Sequence, residues 1–206
     1  RRAHVDQNTL VLFLSDNGAS DQELTAPLDK PGETWRVDGT PTKVGNSPDI
    51  EPGLADTFVT GGPPWANVSN TPFRLHKNSN HEGGIATPCI AWWPGMIRRP
   101  GSITPELAHI TDVLATSLDV AGIEYPRQFG RRTVQPLSGK SLLPVLKGGQ
   151  RTGHASLCWA TSGCRAVRVG AWKLVSVRDG PWELYDLDTD RTELQDLAQQ
   201  QPERVQ

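Results

Sequence analysis

The apolar positions of this chain fall into short blocks separated by long polar stretches. The first block, Leu10 to Leu14 in NTLVLFLSDNGAS (residues 8–20), contains no polar residue and ends just before Asp16-Asn17-Gly18. It is too short for a helix, and an unbroken apolar run suits a central strand covered on both faces, as in the parallel sheets of α/β proteins. A second block, Ile90 to Trp93 in TPCIAWWPG, is fenced by Pro88 and Pro94 and predicts another buried strand. Ala19 to Asn70 shows little periodicity and much Pro, Gly, Asp and Thr, as in PGETW, NSPDIEPG and TGGPPW. It reads as a long irregular excursion, of the kind that in compact domains is functional or mobile.

The period then changes. Ile110, Val113, Leu114, Leu118 and Ala121 recur at helical spacing from His109 to Ala121, with Gly122 as a C-terminal stop. A short helix is predicted at Ser141–Leu146, limited in regularity by Pro144. Beyond Gly153, CRAVRVG, WKLVSV and WELYDL alternate apolar and polar residues between glycine-containing turns, the pattern of an antiparallel meander. TELQDLA reads as a terminal helical turn or two, with Leu194 and Leu197 facing inward. The expected organisation is α/β: residues 1–150 form a sheet domain holding the 19–70 insertion, and residues 151–206 a small antiparallel sheet with a terminal helix.

Composition narrows the function classes. With 206 residues the chain can bury roughly 70% of its unfolded surface. A formal net charge of -2 gives no electrostatic case for nucleic acid or an anionic membrane as partner, and no apolar run approaches a membrane span. The chain begins at Arg1 without a recognisable leader, so a piece of a longer protein is expected. Cys89, Cys158 and Cys164 match neither a disulfide framework nor a structural zinc site; only Cys158 with Cys164, across a hairpin, is a conceivable pair.

Two clusters carry candidate chemistry. Asp16 and Asn17 place a carboxylate and a carboxamide at a strand's carboxyl end, where α/β sheets bind ligands, and both are hard oxygen donors suited to calcium or magnesium. Asp-Asn-Gly is equally an ordinary turn, so the two readings stay open. TPFRLHKNSNHEGGIATP (71–88) gathers Arg74, His76, Lys77 and His81 before a double glycine. Such a loop suits an anion, with Lys77 as a three-donor point charge, unless it is simply a solvated basic loop.

Taken in order, LFLSDNGAS, NTPFRLHKNSNHEGGIATPCIAWWPG, HITDVLATSLDVAGI, LSGKSLLPVLKG and RAVRVGAWKLVSVRDGPWELYDLDTDRTELQDLA resemble the later part of the sulfatase family, specifically arylsulfatase-like enzymes of the alkaline phosphatase-like superfamily. The resemblance runs from about Asn8 to Ala198 and leaves the long excursion unmatched. It implies hydrolysis of sulfate esters by a formylglycine nucleophile and a divalent metal, calcium or alternatively magnesium. Asp16 and Asn17 would be two of the metal ligands, and Lys77, before EGG, the catalytic and substrate-binding cation at the sulfate. In that scheme the hydrated aldehyde attacks sulfur, the alcohol leaves, and the aldehyde reforms as sulfate is expelled.

The pattern is incomplete, since no cysteine here begins the Cys-x-Pro-x-Arg motif that yields formylglycine. The nucleophile and the remaining ligands are therefore expected before Arg1, and the fragment alone is expected to be inactive. The substrate class implied is a small-molecule or glycan sulfate ester, and the location by family habit is periplasmic, extracellular or lysosomal. Two alternatives stand: a phosphoester hydrolase of the same superfamily, and a non-catalytic truncated domain that binds sulfated glycans or a partner chain.

Overall fold

The structure, a computed structural model, describes residues 5–24, 36, 38–161 and 163–206. In chain order its elements are β1 (Val11–Leu14), β2 (Lys43–Val44), β3 (Thr57–Phe58), α1 (Gly62–Asn70), α2 (Glu82–Ile85), β4 (Cys89–Trp92), α3 (Asp112–Ala121), β5 (Gln128–Phe129), β6 (Arg132–Thr133), α4 (Leu143–Leu146), β7 (Leu157–Thr161), β8 (Cys164–Val169), β9 (Trp172–Ser176) and β10 (Trp182–Asp186). They divide into two compact units, Arg1–Asp16 with Pro88–Leu157 and Asn17–Thr87 with Cys158–Gln206. Among the described residues no helix is long and apolar enough to cross a membrane.

In the first unit β1 pairs with β4 in antiparallel register, Val11 opposite Trp92 and Phe13 opposite Ile90. The parallel central strand expected from the unbroken apolar run is thus corrected. Such a run encodes the capacity to be covered on both faces and says nothing of strand direction. Here Val11, Phe13, Ile90 and Trp92 share one face and stay 46%, 68%, 60% and 46% exposed, whereas Leu12 and Leu14 on the other are half-buried. Helix α3 ends at Gly122, whose φ of 65° puts it in the left-handed C-cap conformation.

The face that α3 buries is polar rather than the apolar stripe read from the sequence. Asp112, Ala115 and Thr116 are buried, while Ile110 and Leu114 are about half exposed. Asp112 explains the inversion. Its Oδ1 accepts from the Lys140 amide (2.8 Å) and lies 2.7 Å from His154 Nε2, and its Oδ2 accepts from the His109 amide and Arg151 Nη2, each at 3.1 Å. Arg151 also reaches Glu106 Oε1 and the Leu107 and Lys140 carbonyls. A Cβ on Gly139 would collide with the Thr111 carbonyl, so the Ser-Gly-Lys segment can approach only as glycine.

The second unit is built on the sheet β10-β9-β8-β7, a meander with one strand more than the alternation predicted. Arg168 opposite Lys173 opposite Tyr185, and Ala166 opposite Val175 opposite Glu183, define one face, on which Lys173, Val175 and Tyr185 are buried. The excursion is less irregular than expected. Pro63 and Pro64 open α1, where a missing amide donor costs nothing, and β2 and β3 form a short parallel pair; residues 25–35 lie outside the described residues. The segment read as a terminal helix, 192–198, is not helical. Asp190 Oδ2 takes the amides of Leu194 and Gln195, and Asp196 Oδ1 takes those of Ala198 and of Leu184 in β10, so side-chain carboxylates fix the segment in a non-helical path against the sheet. Leu194 faces solvent, and a 3-10 turn forms instead at Pro202–Arg204. All three cysteines are free.

Candidate functional site

Asp16, Asn17 and Gly18 form the bend that leaves β1. Gly18 is buried against the double glycine of the second cluster: its amide donates to the Gly84 carbonyl at 2.9 Å, and a Cβ on Gly18 would strike the Gly83 carbonyl. Gly83 in turn faces the carbonyls of Arg74 and Leu75, and Gly84 that of Ser79, with no room for a side chain at either. The glycines of DNG and EGG are therefore a matched set whose backbones touch. One residue on, the Ala19 carbonyl accepts the Lys77 amide at 2.9 Å. Asn17-Gly18-Ala19 thus runs alongside the loop that carries Lys77.

Behind this contact the loop is held by buried charge. Glu82 Oε1 lies 2.8 Å from Lys173 Nζ, Glu82 Oε2 lies 2.8 Å from Arg191 Nη2, and the Glu82 amide donates to Glu193 Oε2 at 2.7 Å. Lys173 also meets Glu193 Oε1 at 2.8 Å, as a charge contact rather than an aligned hydrogen bond. Burial would raise the Glu82 carboxyl, but the ammonium of Lys173 and the guanidinium of Arg191 outweigh it and hold the carboxyl below its usual range. Arg74 Nη1 donates to the Glu193 carbonyl at 2.7 Å. Glu82, Gly83 and Gly84 thus act as scaffold for the loop, through buried ion pairs and close backbone contact.

His81 is fully buried, with Nε2 2.9 Å from Glu183 Oε2 and Nδ1 2.9 Å from Ser79 Oγ; Tyr185 also donates to Glu183 Oε2. A serine, a histidine and a glutamate in line resemble a hydrolytic relay. Ser79 is itself buried and its Oγ also accepts the His81 amide, which makes the group an internal brace. Desolvation would raise the Glu183 carboxyl, yet the bonds from Tyr185 and His81 bring it below its usual value. Desolvation, with Glu183 beside it, pushes the Tyr185 phenol far upward.

Of the expected site residues, Asp16 and Lys77 are exposed and Asn17 is half-buried. Among the described residues neither the Asp16 carboxylate nor the Lys77 ammonium takes part in an ion pair, while His76 lies 3.4 Å from Asp21. Asn17 Nδ2 donates to the Gly18 carbonyl at 2.9 Å, so Oδ1 is the carboxamide atom with acceptor capacity for a cation. The donor set fits a hard divalent cation, of whose roughly six to eight oxygen ligands it would supply two. No group of three or more His, Cys, Asp or Glu placed to hold a metal occurs among the described residues.

Comparison with known proteins assigns the class. The family model described as Sulfatase matches residues 1–123, and that described as N-sulphoglucosamine sulphohydrolase, C-terminal, matches residues 74–206. This chain belongs to the sulfatase family. It is similar to an arylsulfatase from Klebsiella aerogenes (35% identical, covering 74% of this chain and 31% of the relative), and to an uncharacterized sulfatase from Schizosaccharomyces pombe (35%, covering 95% and 35%). An N-acetylgalactosamine-6-sulfatase from Canis lupus familiaris is 30% identical over 82% of this chain and 24% of its own. The chain therefore spans about a quarter to a third of the length of these relatives. Among solved structures, Ps i-CgsB matches with a TM-score of 0.64 over 99% of this chain and 35% of that one, at 20% identity. The PsFucS1 sulfatase from Pseudoalteromonas sp. matches at 0.54 over 93% and 33%, also at 20% identity. Both carry the alkaline phosphatase-like fold, in agreement with the sequence reading.

Sequence reasoning found the loops but missed what ties them. Lys173, Glu193 and Arg191 lie about a hundred residues from Glu82, and no local pattern marks them. Lys173 is the exception, since a lysine on the inward face of an alternating strand breaks that alternation.

Proposed function

We propose that this chain is the later part of a sulfuric ester hydrolase that uses a formylglycine nucleophile and a divalent metal. The observation that carries the reading is the bond from the Lys77 amide to the Ala19 carbonyl, which sets the lysine loop beside the Asn17-Gly18-Ala19 segment. In this reading Asp16 and Asn17 Oδ1 hold the ion, calcium in preference to magnesium. When bound, such an ion supplies Lewis-acid polarisation of oxygen.

Lys77 is the substrate-binding and catalytic cation. Its ammonium offers three donors to sulfate oxygens, and its charge opposes the negative charge that builds on the leaving ester oxygen. The Glu82–Lys173–Glu193 network fixes the loop from behind, so the Lys77 backbone need not reorganise as charge develops. The formylglycine lies outside these 206 residues, none of whose cysteines begins Cys-x-Pro-x-Arg, and the chain alone does not turn over sulfate esters. The substrate is a small-molecule or glycan sulfate ester, and the place of action periplasmic, extracellular or lysosomal.

The test is to assay the whole gene product containing this chain on p-nitrophenyl sulfate and p-nitrophenyl phosphate with calcium. Asp16→Ala, Asn17→Ala, Lys77→Ala and the 206-residue chain are compared with it. Sulfate is the preferred substrate, Lys77→Ala lowers the rate by about 100-fold or more, and the 206-residue chain is inert. Preference for phosphate, or undiminished rates in all three variants, overturns the reading.

A further inference from the structure

Resting on that functional reading, we infer that Asn70 is the positioning residue that sets Lys77 against the Asn17-Gly18-Ala19 segment. Asn70 is the last residue of α1 and is half-buried. Its carboxamide is used at both ends: Oδ1 accepts the Ala19 amide at 2.9 Å, and Nδ2 donates to the Leu75 carbonyl at 3.0 Å. The Ala19 carbonyl accepts the Lys77 amide at 2.9 Å. The path from Asn70 to Ala19, to Lys77, back through His76 to Leu75 and again to Asn70 is a closed ring, with one side chain clamping two loops.

The loops need such a clamp. Ala19 and Leu75 lie in irregular backbone, where neither group has a helix or strand partner. Leu75 has a φ of 64° and Asn78 a φ of 73°, the left-handed region, in which a leucine persists only when its surroundings hold it there. Asparagine alone among short side chains offers one acceptor and two donors in one plane. Aspartate would keep the bond from Ala19 but set a carboxylate oxygen against the Leu75 carbonyl; alanine would lose both bonds. Asn70 touches neither sulfate nor metal in this assignment and acts through the placement of the Lys77 backbone.

The experiment uses the whole gene product with Asn70→Ala, Asn70→Asp, Lys77→Ala and the Asn70→Ala/Lys77→Ala double variant. Initial rates on p-nitrophenyl sulfate are combined with hydrogen-deuterium exchange of the peptides covering 17–20 and 74–79. Asn70→Ala lowers kcat/KM by about 100-fold, the loss expected from misplacing a charge by an ångström, and speeds exchange in both peptides while that of β9 is unchanged. In the Lys77→Ala background the same substitution costs clearly less, because the ammonium it positions is gone and only the placement of the Asn17-Gly18-Ala19 segment remains to be lost. Asn70→Asp, which keeps the Ala19 bond but opposes a carboxylate oxygen to the Leu75 carbonyl, speeds exchange in the 74–79 peptide more than in the 17–20 peptide. Equal losses in the two backgrounds, or exchange unaltered in the 74–79 peptide, overturn the assignment of Asn70. A wild-type protein inert toward sulfate esters overturns the functional reading itself, and with it the catalytic use of Asn70.

Discussion

The ammonium of Lys173 sits 2.8 Å from Glu82 Oε1, with the two side chains only 0% and 4% exposed. Water cannot replace either partner. Lys173→Met preserves most of the volume but removes the ion-pair partner of the buried Glu193 and leaves Glu82 with Arg191 as its remaining ion-pair partner among the described residues. Removing one member of a buried ion pair costs about 3–5 kcal/mol. The expected outcome is a fall of that size in unfolding free energy by urea titration; a change under about 1 kcal/mol would mean that water or local relaxation takes the place of the ammonium.

Gly83 tests the backbone contact between the two motif loops. A Cβ there points at the carbonyls of Arg74 and Leu75, neither of which can swing away as a side-chain tip does. Gly83→Ala is therefore expected to cost about 1–3 kcal/mol from overpacking. Gly153→Ala is the control: its Cβ would meet Glu106 Oε1 at 3.6 Å, an ordinary contact, and is expected to be neutral or slightly stabilising through the unfolded chain. Thermal unfolding of both variants separates a glycine required by space from one that is not.

These two cases also mark what the chain discloses. The meander, α3 and its glycine stop, and the existence of the Pro-fenced strand were legible because each is written in local periodicity or turn chemistry; the burial expected for that strand was not, since Ile90 and Trp92 stay 60% and 46% exposed on a two-stranded ladder. The direction of β1 was not, because an apolar run carries no direction. The polar face of α3 was hidden because burial of Asp112 depends on Lys140, Arg151 and His154, between 28 and 42 residues away. At the candidate site Asp16, Asn17 and Lys77 could be picked out by residue type. Asn70 could not, since its role is defined by two backbone groups that only the folded loops bring within reach.

Tyr185 governs the acid behaviour of Glu183. Burial raises that carboxyl and the Tyr185 hydroxyl is the foremost group lowering it, with a net folded value below the ordinary 4.5. A carboxylate depressed by folding adds stability that is present above its unfolded pKa and is lost as pH falls through the folded one. Tyr185→Phe removes the donor, so the Glu183 pKa moves upward toward 4.5 and its share of the acid-side loss of stability shrinks. Side-chain carbon NMR titration of Glu183 in the two proteins reads the shift; an unmoved or lower value contradicts the role given to the phenol.

Asp112 makes the sharpest pH prediction. Burial raises its carboxyl, but the amides of Lys140 and His109, with His154 and Arg151, prevail and leave the folded pKa below the ordinary 3.8. By the same sign rule its contribution is intact well above pH 3.8, declines below it and is gone once the folded carboxyl is protonated. Asp112→Asn keeps the shape but replaces two acceptor oxygens by one oxygen and an amide donor. Some of the four donors now aimed at the carboxylate then face a donor, and at neutral pH the variant is expected to lose about 3–5 kcal/mol. Its melting temperature, already lowered, should fall less steeply than that of the wild type between pH 4.5 and 3, because one depressed carboxylate no longer takes up a proton on unfolding. Parallel curves for the two proteins over that interval would place the acid sensitivity elsewhere, with Glu82 and Glu183 as the remaining depressed carboxylates among the buried networks described.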